Sequence, residues 1–193
     1  MALGSRLVFF LCILLTCYTA EKYQQTTVPA KGPSPIARVF YSAFLNYLAF
    51  VVAGISFILI YQNVQIPGTE EVILRVLAGI LALIFSGITL FAPKNKKLLT
   101  SSLKKMMISV VFLLSLAIFP ANAAGTFYEF LLQVVVYGGM YFIFSIAYSG
   151  ALDRMAMADI PAFIKGLPLA ITTLFLFYLS FSFFNGVFFG YLF

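Results

Sequence analysis

A chain of 193 residues, 63% hydrophobic and only 9% charged, departs far from soluble proteins, which run at roughly half apolar and a quarter charged. Its charges are too few to coat a core and sit between apolar blocks, so the net +6 reads as membrane topology and not as a basic stripe for nucleic acid. With no histidine, and with Cys12 and Cys17 in one apolar stretch, a zinc site, imidazole catalysis and a disulfide framework are all unsupported.

A helix rises about 1.5 Å per residue, so about 20 apolar residues cross a hydrocarbon core. On that scale the expected fold class is an all-α membrane protein, a polytopic bundle of about six transmembrane helices forming one domain over residues 1–193. The first apolar segment, 7–20, is short and follows Arg6. It has two readings: residues 1–20 are the first span, or they are a cleaved signal peptide, which leaves five spans. Bulky Tyr18 stands where cleavage after Ala20 wants a small residue, and Thr16 is unusual before a lipid-modified Cys17. Residues 21–37 read as a polar, Pro-rich linker.

The second run, 39–69, predicts a helix ending near Tyr61, before Gln62, Asn63, Gln65, Pro67 and Gly68. The third, 76–93, stops at Pro93. A basic loop follows over 94–105, with Lys94, Lys96, Lys97, Lys104 and Lys105. The fourth, 106–128, is expected to end at Pro120, with 122–125 as a tight hairpin into the fifth, 130–152. Residues 153–165 connect to the sixth, 166–193, through Asp159 and Pro161. A transmembrane barrel would need short strands of alternating polarity, whereas these runs are apolar on every face.

Cytoplasmic loops are enriched in Lys and Arg. With six spans, one side holds Lys22, Lys31, Arg38, the five lysines of 94–105, Arg154 and Lys165, and the other only Arg6 and Arg75. That count places the basic loop in the cytoplasm and both termini outside. With five spans and the mature N-terminus outside, the same charges would face the wrong way.

Ionisable residues deep in a membrane mark ion or proton paths. Here Arg75, Glu129, Asp153 and Arg154 stand at span boundaries and read as interfacial anchors. No catalytic residue, metal ligand or cofactor is predicted. Neutral polar groups do fall within spans, and Asn46, Gln133 and Asn185 are candidates for helix packing or for a polar path. Small residues recur at helical spacing in Ala78, Ala82 and Ser86, and again at Gly138 and Gly139, as packing faces within the chain or between subunits. Phe181, Phe183, Phe184, Phe188 and Phe189 ring the last helix too widely for one internal face, so some should meet lipid or another protein.

The string beginning at Arg154, RMAMADIPAFIKGLPLAITT, resembles the loop and final-helix entry of the A, D and E type membrane subunits of Rnf and sodium-translocating NADH:quinone oxidoreductase complexes. The matching positions are Arg154, Asp159, Ile160, Pro161, Lys165, Gly166, Leu169 and Thr173, all within the C-terminal quarter of the chain. The resemblance implies six helices, both termini outside and a place in an ion-translocating redox complex. The family's two cluster-binding cysteine motifs are missing, with Ala123 standing near the second. Alanine cannot supply a thiolate, so the resemblance implies a lost or altered electron-transfer role.

Together these features lead to a non-catalytic structural or accessory subunit of a larger membrane complex. The alternatives are the redox-complex subunit and a small transporter or channel. The expected partners are the lipid bilayer and other integral membrane proteins, in a hetero- or homo-oligomer, without nucleic acid.

Overall fold

Long apolar runs without breakers satisfy their backbone N–H and C=O groups along the helix itself, the arrangement that needs no water. The computed structural model describes residues 7–18, 35–63, 71–91, 101–123, 125–156, 161 and 166–188. Among these residues there are six helices and no strand: α1 (Leu7–Tyr18), α2 (Pro35–Asn63), α3 (Glu71–Phe91), α4 (Ser101–Asn122), α5 (Phe127–Ala156) and α6 (Leu167–Phe188). Residues 21–34 of the linker and 94–100 of the basic loop lie outside the described residues.

Several helix ends fall beyond their expected positions for local reasons. α2 begins at Pro35, inside the stretch read as linker, because a first helical position needs no N–H and proline's φ suits it. α4 continues past Pro120 to Asn122. Proline removes one donor there, but so near the C-terminus only a final turn is affected, and Asn122 Nδ2 caps the Ile118 carbonyl at 2.7 Å. α5 starts three residues early on a capping box: Thr126 N–H donates to Glu129 Oε2 at 2.9 Å, and Glu129 N–H donates to Thr126 Oγ1 at 3.4 Å. Gly166 precedes α6 with φ of +92°, a left-handed conformation that glycine adopts without a Cβ penalty.

α2 is the hub, lying against α3, α4 and α5, while α3 also packs along α4 and α6 leans mainly on α5. Two close approaches bring α2 onto α5. A Cβ on Gly54 would lie 2.8 Å from Val134 Cγ1, and one on Gly138 would lie 2.8 Å from the Tyr47 ring. At the α2, α4 and α5 junction, Phe57 meets Phe119 and Phe130 at ring separations of 5.5 and 5.7 Å. α1 is wedged among α4, α5 and α6, with Phe9, Cys12, Ile13, Thr16 and Cys17 buried, Phe9 against Phe144 and Phe10 against Tyr178.

Two segments, Val39–Asn63 and Phe127–Met155, are long and apolar enough to cross a membrane. Leu7–Tyr18, Val72–Ile88, Lys105–Pro120 and Leu167–Ser180 are shorter apolar stretches.

Polarity is distributed in the reverse of a water-soluble bundle. Ser42, Asn46, Ser86, Ser115, Ser145 and Ser149 are buried, whereas large apolar side chains such as Phe40, Phe44, Ile80, Ile84, Ile143 and Phe175 are exposed.

Candidate functional site

A hydroxyl or amide buried among apolar side chains is costly unless hydrogen-bonded, so the buried polar groups show where the interior is organised. They converge on Tyr141, where α1, α2 and α5 meet. Thr16 Oγ1 donates to the Cys12 carbonyl one turn back at 2.8 Å and lies 2.6 Å from Tyr141 Oη. A hydroxyl has one proton, and that of Thr16 is committed to Cys12, so Tyr141 is the donor to Thr16. Asn46 Nδ2 in turn donates to Tyr141 Oη at 3.0 Å. The result is a one-way chain, Asn46 to Tyr141 to Thr16 to the Cys12 carbonyl, that ties three helices together.

The same seam holds both cysteines. Cys12 Sγ–H points to the Val110 carbonyl at 3.8 Å and Cys17 Sγ–H to the Ser145 carbonyl at 3.2 Å. Both are buried thiols outside any disulfide. Farther along α5, Tyr148 Oη donates to the Ala170 carbonyl at 2.6 Å and pins α6, where Thr173 Oγ1 stands 3.0 Å from Met155 Sδ. These are neutral groups, suited to holding helices in register and to hydrogen-bonding a polar group. Among the described residues no three His, Cys, Asp or Glu side chains gather as a metal site would require.

Among the described residues two buried atoms stand apart: Asn46 Oδ1 and Ser115 Oγ have no hydrogen-bond partner there. An unpaired buried hydroxyl carries its desolvation cost without return. Ser115→Ala is therefore expected to be neutral or stabilising by up to about 1 kcal/mol, read as an unchanged or raised thermal midpoint in detergent. A clear loss of stability would show that Ser115 has a partner.

The expected site residues are placed unevenly. Asn46 lies at the centre of the seam. Gln133 is half-buried on α5, eight residues and so about 12 Å along the helix from Tyr141, and the two amides do not meet. Ala78, Ala82 and Ser86 all face the interior. Gly138 is packed against Tyr47 and Phe50, but beside Gly139 nothing lies within 4 Å of where a Cβ would be. In the family-like loop, Arg154 and Pro161 are exposed and Gly166 forms the turn into α6. Asp159, Lys165 and the side chain of Asn185 lie outside the described residues, as do those of Phe181, Phe183, Phe184, Phe188 and Phe189.

Thr16, Tyr141 and Tyr148 are the seam residues that sequence reasoning passed over. A signal was present: Tyr137, Tyr141, Ser145 and Tyr148 recur at helical spacing, a polar stripe along one face of an apolar helix. No family model, curated protein or solved structure matches the chain.

Proposed function

We propose that this is a multi-pass integral membrane protein whose six helices lie within the bilayer, serving as a non-catalytic accessory subunit that packs against partner membrane proteins. The observation that carries the reading is the reversed polarity: serines and an asparagine inside, with phenylalanine, isoleucine and leucine outside. In water such a surface would aggregate. In lipid it is the solvated one, and interior polar groups then hold the helices together. Helix lengths support it further, since α3, α4 and α6 have 21, 22 and 22 residues, and such helices are about 30 Å long, a hydrocarbon thickness. α1 is shorter and sits among the others. The subunit role draws on α6, which leans on α5 and exposes Ile171, Phe175, Leu176 and Leu179.

Alkaline washing of membranes should leave the chain in the pellet, and release into the supernatant would overturn the membrane reading. Mild-detergent purification should bring down other membrane proteins, and a monodisperse lone chain would overturn the subunit role. Because both native cysteines are buried, they should stay silent to aqueous maleimide. Lys97→Cys should then label only from the cytoplasm and Thr126→Cys only from outside, and the opposite pattern would invert the topology.

A second reading, a membrane component of an ion-translocating redox complex, draws on the loop string, whose Gly166 occupies the one position of positive φ among the described residues. Iron analysis and a visible spectrum of the intact complex test it. Colourless, iron-free material would remove its electron-transfer form.

A further inference from the structure

The apolar segment behind Arg6 has two readings by sequence, a first span or a cleaved leader, and its packing separates them. We infer that α1 is retained, uncut by signal peptidase, as the helix on which α4, α5 and α6 close. The charge part of the case rests on the membrane reading; the packing part does not.

A signal peptide needs an apolar run and a small-residue cleavage site, but no particular face. α1 has two faces. Phe9, Phe10, Cys12, Ile13, Thr16 and Cys17 recur at the three- and four-residue spacing of one helix side and are buried, while Leu7 and Leu11 are 59% and 48% exposed. The inner residues have distant partners. Phe9 lies against Phe144 of α5 and Phe10 against Tyr178 of α6, at ring separations of 6.2 and 5.0 Å. Cys12 reaches the Val110 carbonyl of α4, and Cys17 the Ser145 carbonyl of α5. Tyr18, standing where cleavage after Ala20 wants a small residue, is itself helical and packed on the core.

Removing α1 would uncover more than apolar surface. Bilayer lipid can cover the rings of Phe144 and Tyr178, but it supplies no acceptor for the Tyr141 hydroxyl, which donates to Thr16 at 2.6 Å. One of the three helices that meet at the polar seam is therefore the segment in question. Charge agrees independently. With α1 gone and the new N-terminus outside, the lysines of 94–105 lie outside; with α1 as a span they lie in the cytoplasm, where such residues are enriched.

The test is intact-mass and N-terminal analysis of the full chain, purified from membranes through a C-terminal tag, together with thermal unfolding of point variants. The N-terminus is expected to lie ahead of Leu7. Substitutions in a discarded segment leave the mature protein unchanged, whereas those in a retained core helix alter it. Ile13 is fully buried, so Ile13→Ala should lower the thermal midpoint by roughly 5 °C or more. Ile13→Val, which folds even where the larger deletion does not, should lower it by about 1–4 °C. Leu11→Ala, on the outer face, should shift it by less than about 2 °C. Three outcomes overturn the inference: a mature chain beginning at Cys17 or Glu21, an α1 peptide that co-purifies but is cut from the rest, or wild-type midpoints for both Ile13 variants. If alkaline washing releases the chain with α1 attached, the membrane reading fails and the retention stands on packing; if the chain stays in the membrane with α1 cut away, only the retention fails.

Discussion

Replacing Gly54 with leucine is expected to destroy the contact between α2 and α5 and cost about 3 kcal/mol or more, at or beyond the usual range for overpacked cores. The available space decides this. A first side-chain carbon on Gly54 would lie 2.8 and 3.1 Å from the two methyls of Val134 and 3.3 Å from the Phe119 ring, all shorter than ordinary van der Waals contact. Gly54→Ala already forces a shift and should cost about 1–3 kcal/mol. The origin of the cost is checked by adding Val134→Ala, which removes both offending methyls. The double variant should recover most of the thermal midpoint lost by Gly54→Ala. Additive losses would mean that Gly54 matters for another reason. Gly139, beside which the same construction meets nothing within 4 Å, provides the control, and Gly139→Ala should be close to neutral.

Tyr141→Phe is the second large effect, at about 1–2 kcal/mol. Losing Oη takes away the acceptor for Asn46 Nδ2 at 3.0 Å, and Asn46 Oδ1 already lacks a partner. The whole amide would then be buried unpaired, which costs more than a simple lost hydrogen bond. Thr16 suffers little, since its own proton goes to the Cys12 carbonyl. Asn46→Leu alone should cost under about 1 kcal/mol, near the average for a polar contact between membrane helices, because Tyr141 still donates to Thr16. Combining the two should be less damaging than their sum, with a coupling of about 1 kcal/mol. Thermal unfolding of all four proteins in one detergent measures it, and strict additivity would mean that the chain of hydrogen bonds does not act as a unit.

Much of the local structure was legible. The apolar runs became helices, and the polar break after Tyr61 does close α2 at Asn63, because the information is carried by neighbouring residues. Boundaries were less so. Pro35 and Pro120 read as breakers, yet proline is harmless in a first turn and mild in a last one. Thr126 and Glu129 form a capping box that their spacing alone announces, although Glu129's place at a span boundary reads equally as an interfacial anchor.

The candidate site was legible only in part. Asn46 and Gln133 are equivalent as sequence, both amides within apolar helices. In the structure one is buried against Tyr141 and the other is half-buried. Gly138 and Gly139 are adjacent and identical, but only Gly138 meets Tyr47 and Phe50.

By itself, then, the sequence determined that the chain is helical, roughly where its apolar runs are broken, and that its composition departs from that of soluble proteins, since these follow from residue type and spacing along the chain. Tertiary structure decided which face of each helix turns inward. It joined Thr16 and Asn46 to Tyr141 across 125 and 95 residues. The physical reason is rotational. Where a helix is apolar nearly all round, little periodicity orients it, and beyond rows such as Tyr137, Tyr141, Ser145 and Tyr148 on α5 its rotation about its own axis is set by close packing and hydrogen bonding to distant segments.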